Sequence, residues 1–251
     1  MSLDLLDFRI RQRDYLLRIT RAIVSRLNLR AVLRMILQAS VDMLQGQLGL
    51  IALRDQEEKH EFSFWASYGL PPVLVDSFLP LVEEVPEVSS VEEFQIPHIS
   101  EKLQEIAEET GLLLRQVVSL PMVVDEAFLG VIFIFRSHSH SFSSDDRQIL
   151  ASFADYAAIA VNNARLYESV DTERRRLDAL LDASADGIMV MGPDLTLERF
   201  NRALTVLTGW PVEAATGKKH HEVITWARRR SSETKSPSRL QDLTLEQAVS
   251  Q

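Results

Sequence analysis

The 251-residue chain has no cysteine. That absence excludes a disulfide framework, a thiolate nucleophile, cysteine-based zinc or iron–sulfur sites and a thioether-linked chromophore. Also missing is any apolar run of about eighteen residues, the length a helix needs to span a bilayer. The opening Met1-Ser2-Leu3-Asp4 has no basic stretch leading into an apolar core, so no secretory signal is expected. There is no Gly-x-Ser-x-Gly elbow, no phosphate loop and no His-Glu-x-x-His pair. With no active site legible, the chain is expected not to be an enzyme.

What is present is ordinary for a globular protein. The chain is 46% apolar and 25% charged, enough to bury a core in one large or two small domains. A net charge of −9 argues against nucleic acid as a partner. The charge is unevenly spread. Eight arginines fall between Arg9 and Arg34 against the single Asp14, and nine glutamates between Glu83 and Glu109 against Lys102. Two solvated faces of opposite sign account for this better than a membrane-seeking basic helix.

Along the chain, residues 8–27 read as a helix through Leu16, Ile19, Ile23 and Leu27. Asn28 is placed to cap a second helix with one face of Leu29, Val32, Leu33, Ile36, Leu37, Val41 and Leu44. Leu48–Leu53 and Phe62–Tyr68 form a hairpin around a charged turn that ends near Lys59. A short helix over Val73–Leu81, a Glu- and Ser-rich loop and a helix over Glu101–Thr110 follow. A second hairpin pairs Val117–Val124 with Phe128–Phe135. Its second strand is apolar on both faces, so a layer must cover each side of the sheet.

Ser143-Ser144-Asp145-Asp146 starts a long helix, 144–183, with no glycine or proline inside. One stripe, Leu150, Ala157, Val161 and Ala164, suits a sheet. The other, Ile149, Phe153, Tyr156, Ala160, Asn163, Tyr167, Val170, Arg174, Leu177 and Leu181, steps by fours and threes like a coiled-coil seam with a second chain. Beyond it, Ala185–Met191 and Leu195–Phe200 read as strands, Arg202–Thr208 as a helix stopped by Gly209, and Leu243–Val249 as a weak helix.

The order of elements resembles a GAF domain over residues 28–168. The telling blocks are Ser67-Tyr68-Gly69-Leu70-Pro71, the hairpin Val118–Val131, and Phe142-Ser143-Ser144-Asp145-Asp146 followed by Ala157–Tyr167. Residues 177–251 resemble the front part of a PAS domain through Leu181–Ile188, Phe200-Asn201-Arg202-Ala203, Thr208-Gly209-Trp210 and Gly217-Lys218, with three strands missing. The resemblance implies an α+β fold. An antiparallel sheet has helices on one face and an irregular, pocket-forming segment on the other; a long C-terminal signalling helix and a partial PAS-like segment follow. The implied division is an N-terminal helix (1–27), a sensory domain (28–168), a coiled-coil linker (169–183) and a truncated segment (184–251), as in a fragment of a longer bacterial sensor.

For the site, the resemblance implies a pocket lined by Phe64, Trp65, Phe78, His98, Val118 and Phe133. Without cysteine, covalent bilin attachment is excluded; haem through His98 and a cyclic nucleotide stay open, so the cofactor is unassigned. No metal is expected. His138 and His140 lack a third ligand, and His220-His221-Glu222 lacks the continuation of a phosphoacceptor box. The expected function is a cytoplasmic sensory and dimerisation module, a homodimer through its N- and C-terminal helices, with dimer-seam residues Ile149, Phe153, Tyr156, Ala160, Asn163, Tyr167, Val170 and Leu177. The alternative is a dimerisation scaffold that binds no ligand.

Overall fold

The computed structural model describes residues 13–15, 17–21, 28–56, 61–88, 94–138 and 140–224. Outside these residues lie Leu16, Ile23 and Leu27 of the expected N-terminal helix, the turn at Lys59, part of the Glu- and Ser-rich loop, and everything after Ile224. Two compact units divide at Tyr167/Glu168.

In the first unit, residues 13–15 and 17–21 are helical, with Ile19 fully buried. Helix α1, Leu29–Met43, starts where the Asn28 side chain accepts the Arg30 N–H at 2.9 Å. Its buried face carries Val32, Leu33, Ile36, Leu37 and Val41. Four strands then form one antiparallel sheet: β1 (Leu48–Arg54), β2 (Phe62–Tyr68), β3 (Gln116–Val124) and β4 (Ala127–Arg136). Their spatial order is β2-β1-β4-β3, so β1 and β4 are central and β2 and β3 are edges. Gly130 on β4 is required by close approach, because a Cβ there would lie 2.2 Å from the Ala52 carbonyl oxygen of β1.

Alternation along β4 supplies both layers. Leu129, Ile132 and Ile134 join α1 and helix α3 (Ser144–Ala183) in one core, while Phe128, Val131, Phe133 and Phe135 join the segments between β2 and β3 in another. Those segments are two 3₁₀ turns, Pro72–Leu74 and Asp76–Leu81, and helix α2, Ile99–Thr110. The single helix expected over Val73–Leu81 is therefore replaced by tighter turns. Pro72 and Pro80 have no N–H for an α-helical ladder.

Helix α3 runs from Ser144 to Ala183. Ser143 and Asp146 cap it reciprocally: the Asp146 N–H donates to Ser143 Oγ at 3.1 Å and the Ser143 N–H to Asp146 Oδ2 at 2.9 Å. Within the first unit it buries Leu150, Phe153, Ala154, Ala157, Ala158, Ala160 and Val161.

The second unit holds a hairpin of β5 (Met189–Met191) and β6 (Leu197–Phe200), with helices α4 (Arg202–Thr208), α5 (Val212–Ala215) and α6 (His220–Val223) around a small core of Leu197, Phe200, Ala215 and Val223. The expected strand over Ala185–Met191 is shorter, because Asn201 occupies its first part. Asn201 Oδ1 accepts the N–H groups of Ile188 and Leu204, and its Nδ2 donates to the carbonyls of Leu181 and Asp186. That one amide caps α4 and fixes the entry to the hairpin.

Candidate functional site

Three of the six expected pocket residues share one face of the sheet. Phe78 and Phe133 are fully buried there, with Phe64 half-buried beside them. The space they border is filled by rings. Phe78 meets Phe135 edge-on with centroids 5.4 Å apart, Phe133 stacks on Phe135 at 6.3 Å, and Phe62 and Phe94 flank Phe128 at 6.1 and 6.3 Å. Such pairs are stabilising in their own right.

The other three lie elsewhere. Val118 faces the helix side, as do Leu120 and Met122 on the same strand. Trp65 also turns to that side, where the Arg30 guanidinium sits 4.8 Å from its ring and its Nε1–H donates to Ser63 Oγ. Its placement follows from a β-bulge. Ile51 pairs with Ala66 and Ala52 with Phe64, so Trp65 is the extra residue and the two-residue alternation fails there. His98 is at the surface in a left-handed conformation, φ 53°, with Nδ1 3.2 Å from Glu101 Oε2. The six side chains therefore do not converge on one chamber.

Among the described residues, open space beside the sheet runs along β3. A cavity of about 640 Å³ is bordered by Phe94, Ile96, Val117, Ser119, Leu120 and Arg147, and a second of about 440 Å³ by Leu103, Ala107, Arg115 and Gln116. Ile99 and Val117 line both, so the two are adjacent.

The expected seam residues split along α3. Phe153 and Ala160 are buried in the first unit's own core, with Ile149 and Tyr156 half-buried against it. Asn163 is half-exposed; Tyr167, Val170 and Leu177 are exposed, as are Leu166 and Leu180.

Two guanidinium groups hold α3 to the sheet, and neither was expected. Arg136, 6% exposed, donates through Nε to the Leu44 carbonyl at 2.9 Å, approaches Asp146 at 3.2 and 3.3 Å, and stacks 3.9 Å from the Phe142 ring. Arg165 Nη2 donates to the carbonyl of Arg54, whose own guanidinium makes a bidentate pair with Glu87 at 2.8 and 3.0 Å. A signal for Arg136 was available: a charge closing an apolar strand must find partners where it is buried. Burial raises the Asp146 pKa, but the Ser143 N–H, the Arg136 guanidinium and the Ser143 hydroxyl together hold it below its ordinary value of 3.8.

The histidine pairs form no metal centre among the described residues. His138 and His140 are exposed with ring centroids 5.7 Å apart; His220 is buried with His221 edge-on to it. No described helix is long and apolar enough to cross a membrane.

A family model for the GAF domain matches residues 28–163. Among solved structures, the GAF domain of a protein named as a sensor histidine kinase from Pseudomonas syringae pv. tomato is 18% identical, with a TM-score of 0.50, covering 69% of this chain and 99% of its own. GAF domains of phosphoenolpyruvate-protein phosphotransferases from Acinetobacter and Coxiella burnetii are 17% and 16% identical. Their TM-scores are 0.43 and 0.45, and the matches cover 63% and 64% of this chain and 97% and 98% of theirs. No curated protein matches the chain.

Proposed function

The chain belongs to the GAF domain family, and from that membership we propose that it is the sensory and dimerising part of a bacterial, cytoplasmic signal-transduction protein with no catalytic activity of its own. Its partner is a second copy of the chain, paired through the N-terminal helix and α3. Residues 177–251 are the PAS-like segment through which the change passes to an output domain. The similar domain from Pseudomonas syringae, which belongs to a protein named as a sensor histidine kinase, supports the sensory part of this reading.

One observation carries it. Leu166, Tyr167, Val170, Leu177 and Leu180 are each 46% or more exposed on one helix. A second copy lying alongside takes these side chains out of water, and at about 25 cal/mol per Å² such burial favours association. Asn163 and Arg174 make the pairing less stable than a fully apolar seam, which suits a helix pair that changes register. Because Phe153 and Ala160 are already buried at home, the proposed seam begins near Asn163 and runs through Tyr167, Val170 and Leu177.

Light scattering on the full chain tests this reading. A dimer at micromolar concentration that Val170→Asp or Leu177→Asp converts to monomer supports it; a wild-type chain that stays monomeric overturns it. A specific observation also favours a second reading, a scaffold that pairs subunits and binds no ligand: on the face away from α1 and α3 the rings of Phe78, Phe133 and Phe135 pack directly on one another. Thermal unfolding against nucleotides, haem and small metabolites separates the two, since a ligand specific for the folded form must raise the midpoint.

A further inference from the structure

We infer that the outer edge of β3 is a docking groove for an extended, acidic peptide segment of a partner protein, which adds to the sheet as a fifth strand. This goes beyond the sensory reading and does not depend on it.

Strand β3 is bonded to β4 on one side and to no strand on the other among the described residues. An edge of that kind presents a row of N–H and C=O groups with no ladder partner, and proteins usually cover, charge or shorten it. Here it is nine residues long, and among the described residues nothing fills it over. The two cavities that meet at Ile99 and Val117 follow it from Arg115 to Leu120. Six residues at about 3.3 Å each give a groove of about 20 Å, the reach of a six-residue extended peptide and more than a small metabolite fills.

The walls set the side-chain chemistry of the occupant. Phe94, Ile96 and Ile99 form an apolar wall on one side of the strand, and Leu120 and Ala151 border the other. An added strand sends alternate side chains to the two sides, so apolar residues at every second position meet the first wall. Arg115 and Arg147 border different parts of the groove, both exposed, and neither guanidinium makes a hydrogen bond or ion pair among the described residues. The acid at the groove, Glu108, is already engaged by the Gln104 amide at 2.9 Å. A carboxylate on an intervening position meets Arg147 on the α3 side, and one at the end of the peptide meets Arg115; each gains charge-assisted hydrogen bonds.

The test titrates the full chain with acetyl-Glu-Val-Glu-Val-Glu-Val-amide while following backbone amide exchange. The expected result is saturable binding that slows exchange within Gln116–Leu120, weakens by roughly five- to tenfold on Arg115→Glu or Arg147→Glu, and falls as salt rises. Both arginines are exposed, so neither variant endangers folding. Two control peptides fix the mode: one with Lys for Glu, and one N-methylated on alternate residues, which keeps the side chains but cannot form the ladder. Equal binding of the Lys peptide overturns the charge match, and equal binding of the N-methylated peptide overturns strand addition. Absence of binding by the acidic peptide, or edge amides of β3 already protected in the free chain, overturns the groove itself.

Discussion

Arg136 and Asp146, ten residues apart, close the corner between the last strand of the sheet and the first turn of α3 through contacts of 3.2 and 3.3 Å. The same guanidinium satisfies the Leu44 carbonyl at the end of α1. Three elements thus meet on one side chain. Arg136→Leu is expected to cost about 2–4 kcal/mol, because it strands a carboxylate and a carbonyl that the arginine had satisfied. In a double-mutant cycle, Arg136→Gln with Asp146→Asn should show a coupling of about 1–3 kcal/mol by chemical denaturation.

The same pair gives the fold an acid limb of known sign. The folded-state pKa of Asp146 is depressed, although burial alone raises it, so the unfolded chain takes up the proton first. The stabilisation is therefore present above the ordinary value of 3.8 and lost as pH falls through the lower, folded value. The free energy of unfolding, measured from neutral pH down into this range, should fall more steeply for the wild type than for Asp146→Asn.

Phe133 tests how tightly the aromatic layer is filled. The ring is fully buried and stacks on Phe135. Phe133→Ala should lose about 3–5 kcal/mol and leave an apolar void. Added benzene should then raise the thermal midpoint of the variant and leave that of the wild type unchanged.

In the second unit the expectation centres on Asn201. Its amide makes four hydrogen bonds, to Ile188, Leu204, Leu181 and Asp186. Asn201→Ala removes a helix cap and leaves two carbonyls short of donors, at a cost of about 2 kcal/mol. Amide exchange at Ile188 and Leu204 should speed up, while exchange in β4 stays as it was.

Much of the architecture was legible because it rests on local pattern. The apolar run Phe128–Phe135 announced a sheet covered on both faces, and it is; Asn28 and Ser143 marked the helix starts where the caps are found. What was not legible depends on pairing between distant segments. Trp65 faces the helices only because of a bulge in the register of β1 against β2, and no periodicity within Phe62–Tyr68 reveals that. The Arg136 and Arg165 contacts reach 92 and 111 residues back along the chain. The groove beside β3 is shaped by residues from 94–108, 114–120 and 147–151, whose meeting is a property of topology rather than of any motif.

The alanines that seat α3 on its sheet set what that helix can do. Ala154, Ala157 and Ala158 are essentially inaccessible to water, and Phe153 wedges in beside them. Advancing the helix by one residue means a turn of about 100°, which would drive the phenyl ring out of its socket and bring the polar flank of Asp155 toward apolar neighbours. Twisting in place is thereby denied to the seated half. Whatever displacement starts in the sheet must leave the seated half as a tilt or an axial shift of a stiff lever.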